Sequence, residues 1–250
     1  MFIQYQLNIQ KQLFNDLATS VPFEDITNGR KGTNIIVKND NQCIPIVRTT
    51  TQYNKPASFF KPIHYELLSY INQINSDNRK TFNNALVEIY DNRYKSMGFH
   101  SDQAQDLQPN SFICIYSCYD DHIESPSRAL IVKNKQTDEE MEFTLNHNSI
   151  ILFSTETNKN YLHKIIYKDI SNKWLGITFR LSKTFIKFIN EIPYLTSFDN
   201  QMNQINQLNY ADDKQKKEFY KCRSLENKQI DYTYPDFNFT ISKSDLLYPI

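Results

Sequence analysis

The sequence predicts a mainly β protein of the α+β class, with an antiparallel sandwich, barrel or jelly roll as its core. Beyond residue 80, seven or more short runs rich in β-branched and aromatic residues alternate with polar turns. Ahead of them, apolar residues recur at helical spacing. The 250 residues are enough to bury one sizeable core, so we expect a single catalytic or binding domain.

The N-terminal part predicts two helices and an extended segment. The amphipathic stretch from Ile9 to Leu17 favours a helix, and Asn28-Gly29 favours a hairpin or loop. Residues 43–51, CIPIVRTTT, are rich in β-branched side chains and predict a strand. Apolar residues at helical spacing predict the second helix over 62–76.

The following region predicts the sheet and then a return to mixed structure. The predicted strands are ALVEIY, SFICIYSCY, ALIVKN, MEFTL, SIILF, LHKIIY and WLGITFR. Residues 182–192 carry an apolar stripe at helical spacing and predict a helix outside the sheet. Residues 197–210 are rich in Asn and Gln and predict a linker, while the aromatic last thirty residues predict an arm that docks on the core.

Composition limits the possible functions. Lys plus Arg and Asp plus Glu number 28 each, so no global positive field favours a polyanion, and a nucleic-acid role would need a local basic patch. The four cysteines show no CxxC pair and are expected as buried thiols. The N-terminus has no leader-like pattern and no run spans a membrane, so we expect an intracellular, cytoplasmic or nuclear protein that is monomeric.

A candidate metal site begins in the sequence MGFHSDQAQD. On an extended segment residues i and i+2 share a face, so His100 and Asp102 can converge on one cation. Alone, such a pair is better explained by a solvated turn with a capping aspartate. His163 opens a later β-type run and supplies a third ligand, which gives the two-histidine, one-carboxylate set of non-haem iron enzymes. His64, His122 and His147 have no comparable context and are expected to be structural or surface residues.

Three further residues could bind an anionic co-substrate. Arg180 ends the run WLGITFR, where a guanidinium could hold a carboxylate bidentately, although a surface ion pair is the alternative. Ser182 lies two residues further on and can add a hydroxyl on the same face. Tyr90 ends NALVEIY and offers another donor, with a core tyrosine as the alternative.

The order NALVEIYDNRYKSMGFHSD, SFICIYSC, SIILFS, YLHKIIY and GITFR resembles the AlkB-like branch of the 2-oxoglutarate/Fe(II) dioxygenases over about residues 45–190. The resemblance implies a double-stranded β-helix, with His100, Asp102 and His163 as iron ligands. It also implies Arg180 and Tyr90 as 2-oxoglutarate contacts, with Fe(II), 2-oxoglutarate and O2 as the cofactor and co-substrates. The dioxygenase domain would then cover 1–195, with its catalytic core at about 84–182, and 196–250 would form the linker and docking arm.

Two positions depart from the AlkB-like pattern. Trp174 stands where many members have a second arginine, six residues before the TFR arginine. Ala104 stands two residues after the metal Asp, where members that repair nucleobases often carry an acid. The first departure leaves Arg180 to serve the oxo-acid largely alone, and the second weakens the inference of nucleobase repair.

The substrate side is read from Arg48 and Tyr53. With Lys55, Lys61 and neighbouring phenylalanines, they could form a basic, aromatic platform for a stacked base, or a strand and a hydrophobic loop. Three functions follow: a nucleic-acid dealkylase or hydroxylase, a protein or small-molecule hydroxylase, and a catalytically silent β-helix binding module.

Overall fold

The computed structural model describes residues 1–39, 42–74, 81–120, 126–169, 171–196 and 206–250. The strands in these ranges are β1 (Ile3–Gln6), β2 (Glu24–Thr27), β3 (Arg30–Ile36), β4 (Ile44–Pro45), β5 (Ser58–Phe59), β6 (Asn84–Tyr90), β7 (Phe112–Tyr119), β8 (Arg128–Asn134), β9 (Glu140–Thr144), β10 (Ser149–Ser154), β11 (Tyr161–Tyr167), β12 (Trp174–Arg180), β13 (Phe185–Ile189), β14 (Ile192–Thr196), β15 (Asn206–Gln207), β16 (Asn209–Tyr210) and β17 (Phe239–Thr240). The helices are α1 (Phe14–Ser20), α2 (Pro62–Gln73), α3 (Thr155–Asn160) and α4 (Asp213–Lys228), with a 3₁₀ turn at Lys243–Leu246.

Two facing sheets form the core. The larger has the order β1-β10-β7-β12-β6-β3-β2, with β5 added in parallel beside β3, and its other pairs are antiparallel. The smaller has the order β11-β8-β9, and bridges Ser96–Ile166 and His100–His163 extend it beyond β11. This arrangement is a double-stranded β-helix, or jelly roll, so the predicted fold is confirmed.

The central strands of the larger sheet are buried on both faces, because the alternating side chains of each strand enter two different apolar clusters. On β7, Ile113 and Ile115 point between the sheets with Leu130 of β8. Their neighbours Cys114 and Tyr116 point the other way, into a second core that α1 and α2 cover. Strands β6, β7, β10 and β12 therefore consist of near-continuous apolar runs. All seven runs predicted as strands, including β8, β9 and β11 of the smaller sheet, are strands in the structure.

The helix predictions hold in part. The first helix, predicted near 9–17, spans Phe14–Ser20, and the second, predicted over 62–76, spans Pro62–Gln73 and has Ile74 as its C-cap. The helix predicted over 182–192 is wrong, because β13 and β14 form a hairpin there. Asn190 and Glu191 both have positive φ, at 50° and 67°, which is the geometry of a two-residue type I′ turn.

The strand predicted over 43–51 is also largely wrong. Only Ile44–Pro45 pairs, with β13. Three residues after Pro45, the Arg48 backbone N–H donates to the Asp106 carboxylate at 2.7 Å instead of to a neighbouring strand. The chain therefore leaves the sheet at Arg48, because the Asp106 carboxylate accepts the hydrogen bond that a neighbouring strand would otherwise accept.

The C-terminal segment contains α4, a sixteen-residue helix that was not predicted. Asp212 and Gln215 form a capping box at its start, a signal visible in the sequence. Phe219 and Cys222 of this helix pack on Phe237 and Phe239. The segment contacts the jelly roll through hydrogen bonds described below, while the boundary drawn at residue 195 stays a prediction. The linker was predicted over 197–210; residues 197–205 lie outside the described residues, whereas 206–207 and 209–210 form the short strands β15 and β16.

Two composition-based expectations can be compared directly with the structure. All four cysteines are buried thiols, as predicted. Among the described helices, none has the length and apolar character needed to cross a lipid bilayer.

Candidate active site

A cavity of about 370 Å³ opens between the two sheets. Its floor and walls come from the barrel strands, the segment around His100, the segment 49–51 and the helix α4. The lining residues are Arg30, Thr49, Thr50, Thr51, Leu86, Glu88, Met97, Gly98, Phe99, His100, Ser101, Asp102, Gln103, Ile115, His163, Ile165, Thr178, Arg180, Arg223 and Asn227. The cavity therefore contains the three predicted iron ligands together with Arg180.

The fold brings His100, Asp102 and His163 together as the sequence predicted. One potential ligand atom from each lies within 4.8 Å of the other two. The segment of His100 pairs with the start of β11 through reciprocal backbone hydrogen bonds, His100 N to His163 O at 3.0 Å and His163 N to His100 O at 2.7 Å. This bridge sets the two imidazoles side by side, with ring centroids 4.6 Å apart.

The hydrogen bonds around these residues orient them for a metal. His100 Nδ1 lies 2.9 Å from the Gly98 carbonyl, to which it can donate, so that Nε2 remains as the ligand atom. Asn158 of α3 holds the backbone of Asp102 on both sides, accepting from its N–H and donating to its carbonyl, each at 2.7 Å. The carboxylate Oδ1 of Asp102 lies 3.5 Å from His163 Nε2.

The electrostatics favour the metal-binding protonation states. Burial of the imidazole, together with nearby His163 and Arg223, lowers the pKa of His100 to about 3, so it is neutral at physiological pH. Burial alone would raise the pKa of Asp102, but Arg180 and His163 hold it well below its usual range. A neutral imidazole beside a carboxylate is the donor chemistry that Fe(II) takes in two-histidine, one-carboxylate sites, so these residues fit that ion.

Arg180 lies beside the triad. Its Nε donates to Asp102 Oδ2 at 2.7 Å, and the residue is only 5% exposed. Its Nη groups have no hydrogen-bond partner among the described residues, and the side chain lines the cavity. A guanidinium with spare donors is thus available next to the metal ligands.

Ser182 and Tyr90 do not line this cavity. The Ser182 hydroxyl lies within hydrogen-bond distance of two backbone carbonyls, those of Ile46 at 2.5 Å and Thr184 at 2.9 Å. It stabilises the turn that follows β12. Tyr90 is fully buried between Trp174 and Tyr94, and its hydroxyl donates to Glu88 at 2.7 Å. Both hydroxyls are thus used inside the protein in this geometry, and their direct contacts with 2-oxoglutarate stay a prediction.

Arg48 and Tyr53 do not form a substrate platform. The Arg48 guanidinium is buried in a bidentate pair with Asp106, at 2.7 and 3.0 Å, and donates to the carbonyls of Phe237 and Phe239. Tyr53 is 2% exposed and packs against Gly32, and its hydroxyl has no hydrogen-bond partner among the described residues. Both side chains are structural, because each is enclosed by segments distant in the sequence.

The other three histidines agree with expectation where they are described. His64 is buried, accepting from the Lys61 N–H and lying 3.2 Å from the Ser20 hydroxyl, and His147 accepts from the Tyr119 N–H. His122 lies outside the described residues.

Sequence reasoning missed several cavity residues. Arg30 of β3 forms an ion pair with Glu88 of β6, and Phe99 stands at the cavity beside His100. Arg223 and Asn227 reach the cavity from α4. Arg30 and Glu88 could have been noticed as charges within β-type segments, whereas Arg223 and Asn227 have no distinguishing sequence signal beyond the capping box of their helix.

A jelly roll with a two-histidine, one-carboxylate set in its cavity is typical of the non-haem iron oxygenases. The sequence model described as "2OG-Fe(II) oxygenase superfamily" matches residues 7–183. The chain belongs to this superfamily. It is a 2-oxoglutarate-dependent dioxygenase, which uses Fe(II), 2-oxoglutarate and O2.

Two further comparisons add little about function. The chain is similar to a solved prolyl-4-hydroxylase from Pseudomonas putida, at 13% sequence identity and a TM-score of 0.44, covering 72% of this chain and 92% of the other. A likeness this distant carries no conclusion about substrate. No curated protein matches the chain in sequence.

Proposed function

We propose that His100, Asp102 and His163 hold the Fe(II) of this dioxygenase, and that the enzyme is AlkB-like and oxidises an alkylated nucleobase by hydroxylation or demethylation. The convergence of the three ligand atoms within 4.8 Å carries the first part. When bound there with 2-oxoglutarate, Fe(II) supplies oxidation of a substrate C–H bond by O2, with succinate and CO2 as co-products. The protein's own residues bind, orient and desolvate the reactants.

Arg180 is proposed to bind a carboxylate of 2-oxoglutarate. Its Nε holds Asp102, while its Nη groups are spare and face the cavity. A guanidinium binds a carboxylate through charge-assisted hydrogen bonds, and the low exposure of Arg180 strengthens them. Arg30 is a second cavity guanidinium, but its contacts with Glu88 and Thr51 already use Nε and Nη2.

The nucleobase part of the proposal is supported by the residues beside the cavity mouth. The half-buried Phe99 ring lines the cavity, with Lys164 Nζ at 4.2 Å and Lys133 Nζ at 6.0 Å from its centroid. An aromatic face with adjacent cations is the combination that stacks a base and attracts its phosphate. Lys133 also pairs with Asp138, so Lys164 is the cation more available to a ligand.

The alternative is a protein or small-molecule hydroxylase, which would use the same iron site and Arg180. Ala104 favours it, because the acid expected in many nucleobase-repairing members is missing at this position. Membership of the superfamily together with a complete donor set argues against the catalytically silent module. The monomeric state and the intracellular location stay predictions.

The substrate is tested by measuring succinate release with Fe(II), ascorbate and 2-oxoglutarate against N-methylated oligonucleotides, peptides and metabolites. We expect succinate and formaldehyde with a methylated oligonucleotide, and a loss of its binding in Phe99→Ala of about 1 to 3 kcal/mol. Succinate release with peptides or metabolites alone would replace the nucleobase by the alternative substrate class.

The co-substrate role is tested with Arg180→Met, using the exposed Arg93→Met as the matched control. Loss of a hydrogen bond to a charged group costs about 1.5 to 3 kcal/mol, so the 2-oxoglutarate concentration needed should rise about 10- to 100-fold. An unchanged requirement in Arg180→Met would assign the carboxylate to another residue, with Arg30 as the next to substitute.

A further inference from the structure

The segment that carries two of the three proposed iron ligands is not part of a strand. We call residues 100–107 the metal loop. It leaves the smaller sheet after the His100 bridge and ends at the Leu107–Ser182 bridge, next to the end of β12 in the larger sheet. Between these bridges its backbone N–H and C=O groups have no strand partner. Buried backbone groups need partners, so other parts of the chain must supply them.

The helix α4 supplies three of these partners. Asn227 Oδ1 accepts from the Ser101 N–H at 3.1 Å, and Glu226 Oε1 accepts from the Ala104 N–H at 2.7 Å. The Arg223 guanidinium donates to the Ser101 carbonyl and pairs with the Glu226 carboxylate. One turn of the helix thus bonds the residues on both sides of Asp102.

These side chains are held in place themselves. Arg223 is 8% exposed and Glu226 is 6% exposed. The Tyr234 hydroxyl donates to Glu226 Oε2 at 2.7 Å, and Lys135 Nζ donates to the Glu226 carbonyl at 2.8 Å. Arg223 and Glu226 are buried and Asn227 is half-buried, while Ser101 itself is fully buried, so removing one of these partners leaves a backbone group of the metal loop unsatisfied.

The opposite side of the loop is held by a different element. Asn158 of α3 takes both backbone groups of Asp102, so the loop lies between α3 and α4. The family match ends at residue 183, and α4 begins thirty residues later, at Asp213. One of the two supports of the ligand loop therefore comes from a part of the chain outside the family match.

We infer that Arg223, Glu226 and Asn227 are positioning residues that fix the metal loop of the proposed iron site. This inference rests on the proposed function, since it takes His100 and Asp102 as ligands. The helix α4 acts through the loop backbone: it sets the separation and orientation of His100 and Asp102 relative to His163. Without it the fold can persist, but the three ligand atoms are no longer held together before the metal binds.

The test measures Co²⁺ binding to the full chain without 2-oxoglutarate, following both affinity and the visible absorption of the bound ion. Asn227→Leu keeps the side-chain size and removes the acceptor for Ser101 N–H. Arg223→Lys keeps the charge next to Glu226 but loses the fork that also reaches the Ser101 carbonyl. We expect Co²⁺ affinity to fall about 10-fold or more in each, with an altered absorption spectrum.

The matched control is Asp212→Ala, which removes the N-cap of the same helix, a bond of 2.8 Å to the Gln215 N–H, and touches no loop residue. It should lower the midpoint of thermal unfolding by about 2 to 4 °C while leaving Co²⁺ affinity and spectrum unchanged. Circular dichroism and thermal unfolding of all variants identify any that fail to fold. If Asn227→Leu does not fold, Arg223→Lys decides the question.

The outcomes separate the two proposals. Wild-type affinity and spectrum in folded Asn227→Leu and Arg223→Lys would overturn the positioning role, as would an equal loss in Asp212→Ala. If His100→Ala binds Co²⁺ as the wild type does, the proposed iron site itself is wrong. Loss in His100→Ala and in the two α4 variants, with retention in Asp212→Ala, supports both.

Discussion

Replacing Arg48 by methionine tests whether this arginine is structural, as the structure indicates, or faces a substrate. Its guanidinium makes two hydrogen bonds to Asp106, at 3.0 Å from Nε and 2.7 Å from Nη2, and two more from Nη1 to backbone carbonyls. Asp106 is fully buried and Arg48 is 4% exposed. Removing one partner of a buried pair costs about 3 to 5 kcal/mol.

The structure places the expected loss near the lower end of that range. Asp106 keeps one donor in the variant, because the backbone N–H of residue 48 also bonds Oδ2 at 2.7 Å. We therefore expect Arg48→Met to lower the free energy of unfolding by about 3 kcal/mol, out of the 5 to 15 kcal/mol typical of a domain. Trp174, the only tryptophan, is 1% exposed and reports unfolding in urea by its fluorescence.

The double variant Arg48→Met/Asp106→Asn is the control for this interpretation. It removes the uncompensated carboxylate and should be more stable than Arg48→Met alone. A loss below about 1 kcal/mol in Arg48→Met, the size of an exposed ion pair, together with a fall in substrate turnover, would refute the reasoning and restore the substrate role.

Two further predictions concern stability. Burial, with Lys61 nearby, lowers the pKa of His64 to about 4, below its unfolded value of 6.5. The neutral, buried His64 therefore stabilises the fold fully above pH 6.5, and this contribution to the free energy of unfolding is lost as pH falls toward 4. In urea titrations between pH 6.5 and 4, the free energy of unfolding of the wild type should fall by about 1.4 kcal/mol per pH unit more than that of His64→Gln. Parallel pH profiles of the two proteins would contradict this prediction. In Gly176→Ala the new Cβ would lie 1.9 Å from a ring carbon of the buried Trp174, so melting should show a loss of about 1 to 3 kcal/mol, and unchanged stability would mean that the indole moves freely.

The parts predicted from sequence are those set by local periodicity. Strands β6 to β12 follow the predicted β-type runs, and the two-residue spacing of His100 and Asp102 is enough to place both side chains in one cluster. His163 follows because it opens a strand that pairs with the segment of His100. Arg180 lies on the same interior face, so the four residues meet in one cavity.

The features that the sequence did not predict depend on contacts with residues that are distant in the sequence. Arg48 is an isolated cation in the sequence, and only Asp106, 58 positions away, shows that its charge is neutralised inside the protein. Asn227 meets Ser101 across 126 positions, a contact without a local signal. The stripe of Phe185 and Ile186 fits a helix or a strand, and pairing with Ile44 and Pro45 selects the strand.

Equilibrium binding of Fe(II) under anaerobic conditions tests the central claim most directly. Wild type should bind one Fe(II) per chain, and so should Asp138→Asn, which alters an exposed carboxylate that does not line the cavity. His100→Ala, Asp102→Ala and His163→Ala should each lose more than the roughly 10- to 100-fold in affinity that removing a residue behind a ligand costs. Wild-type affinity in any of these three variants would contradict the assignment of that residue as an iron ligand.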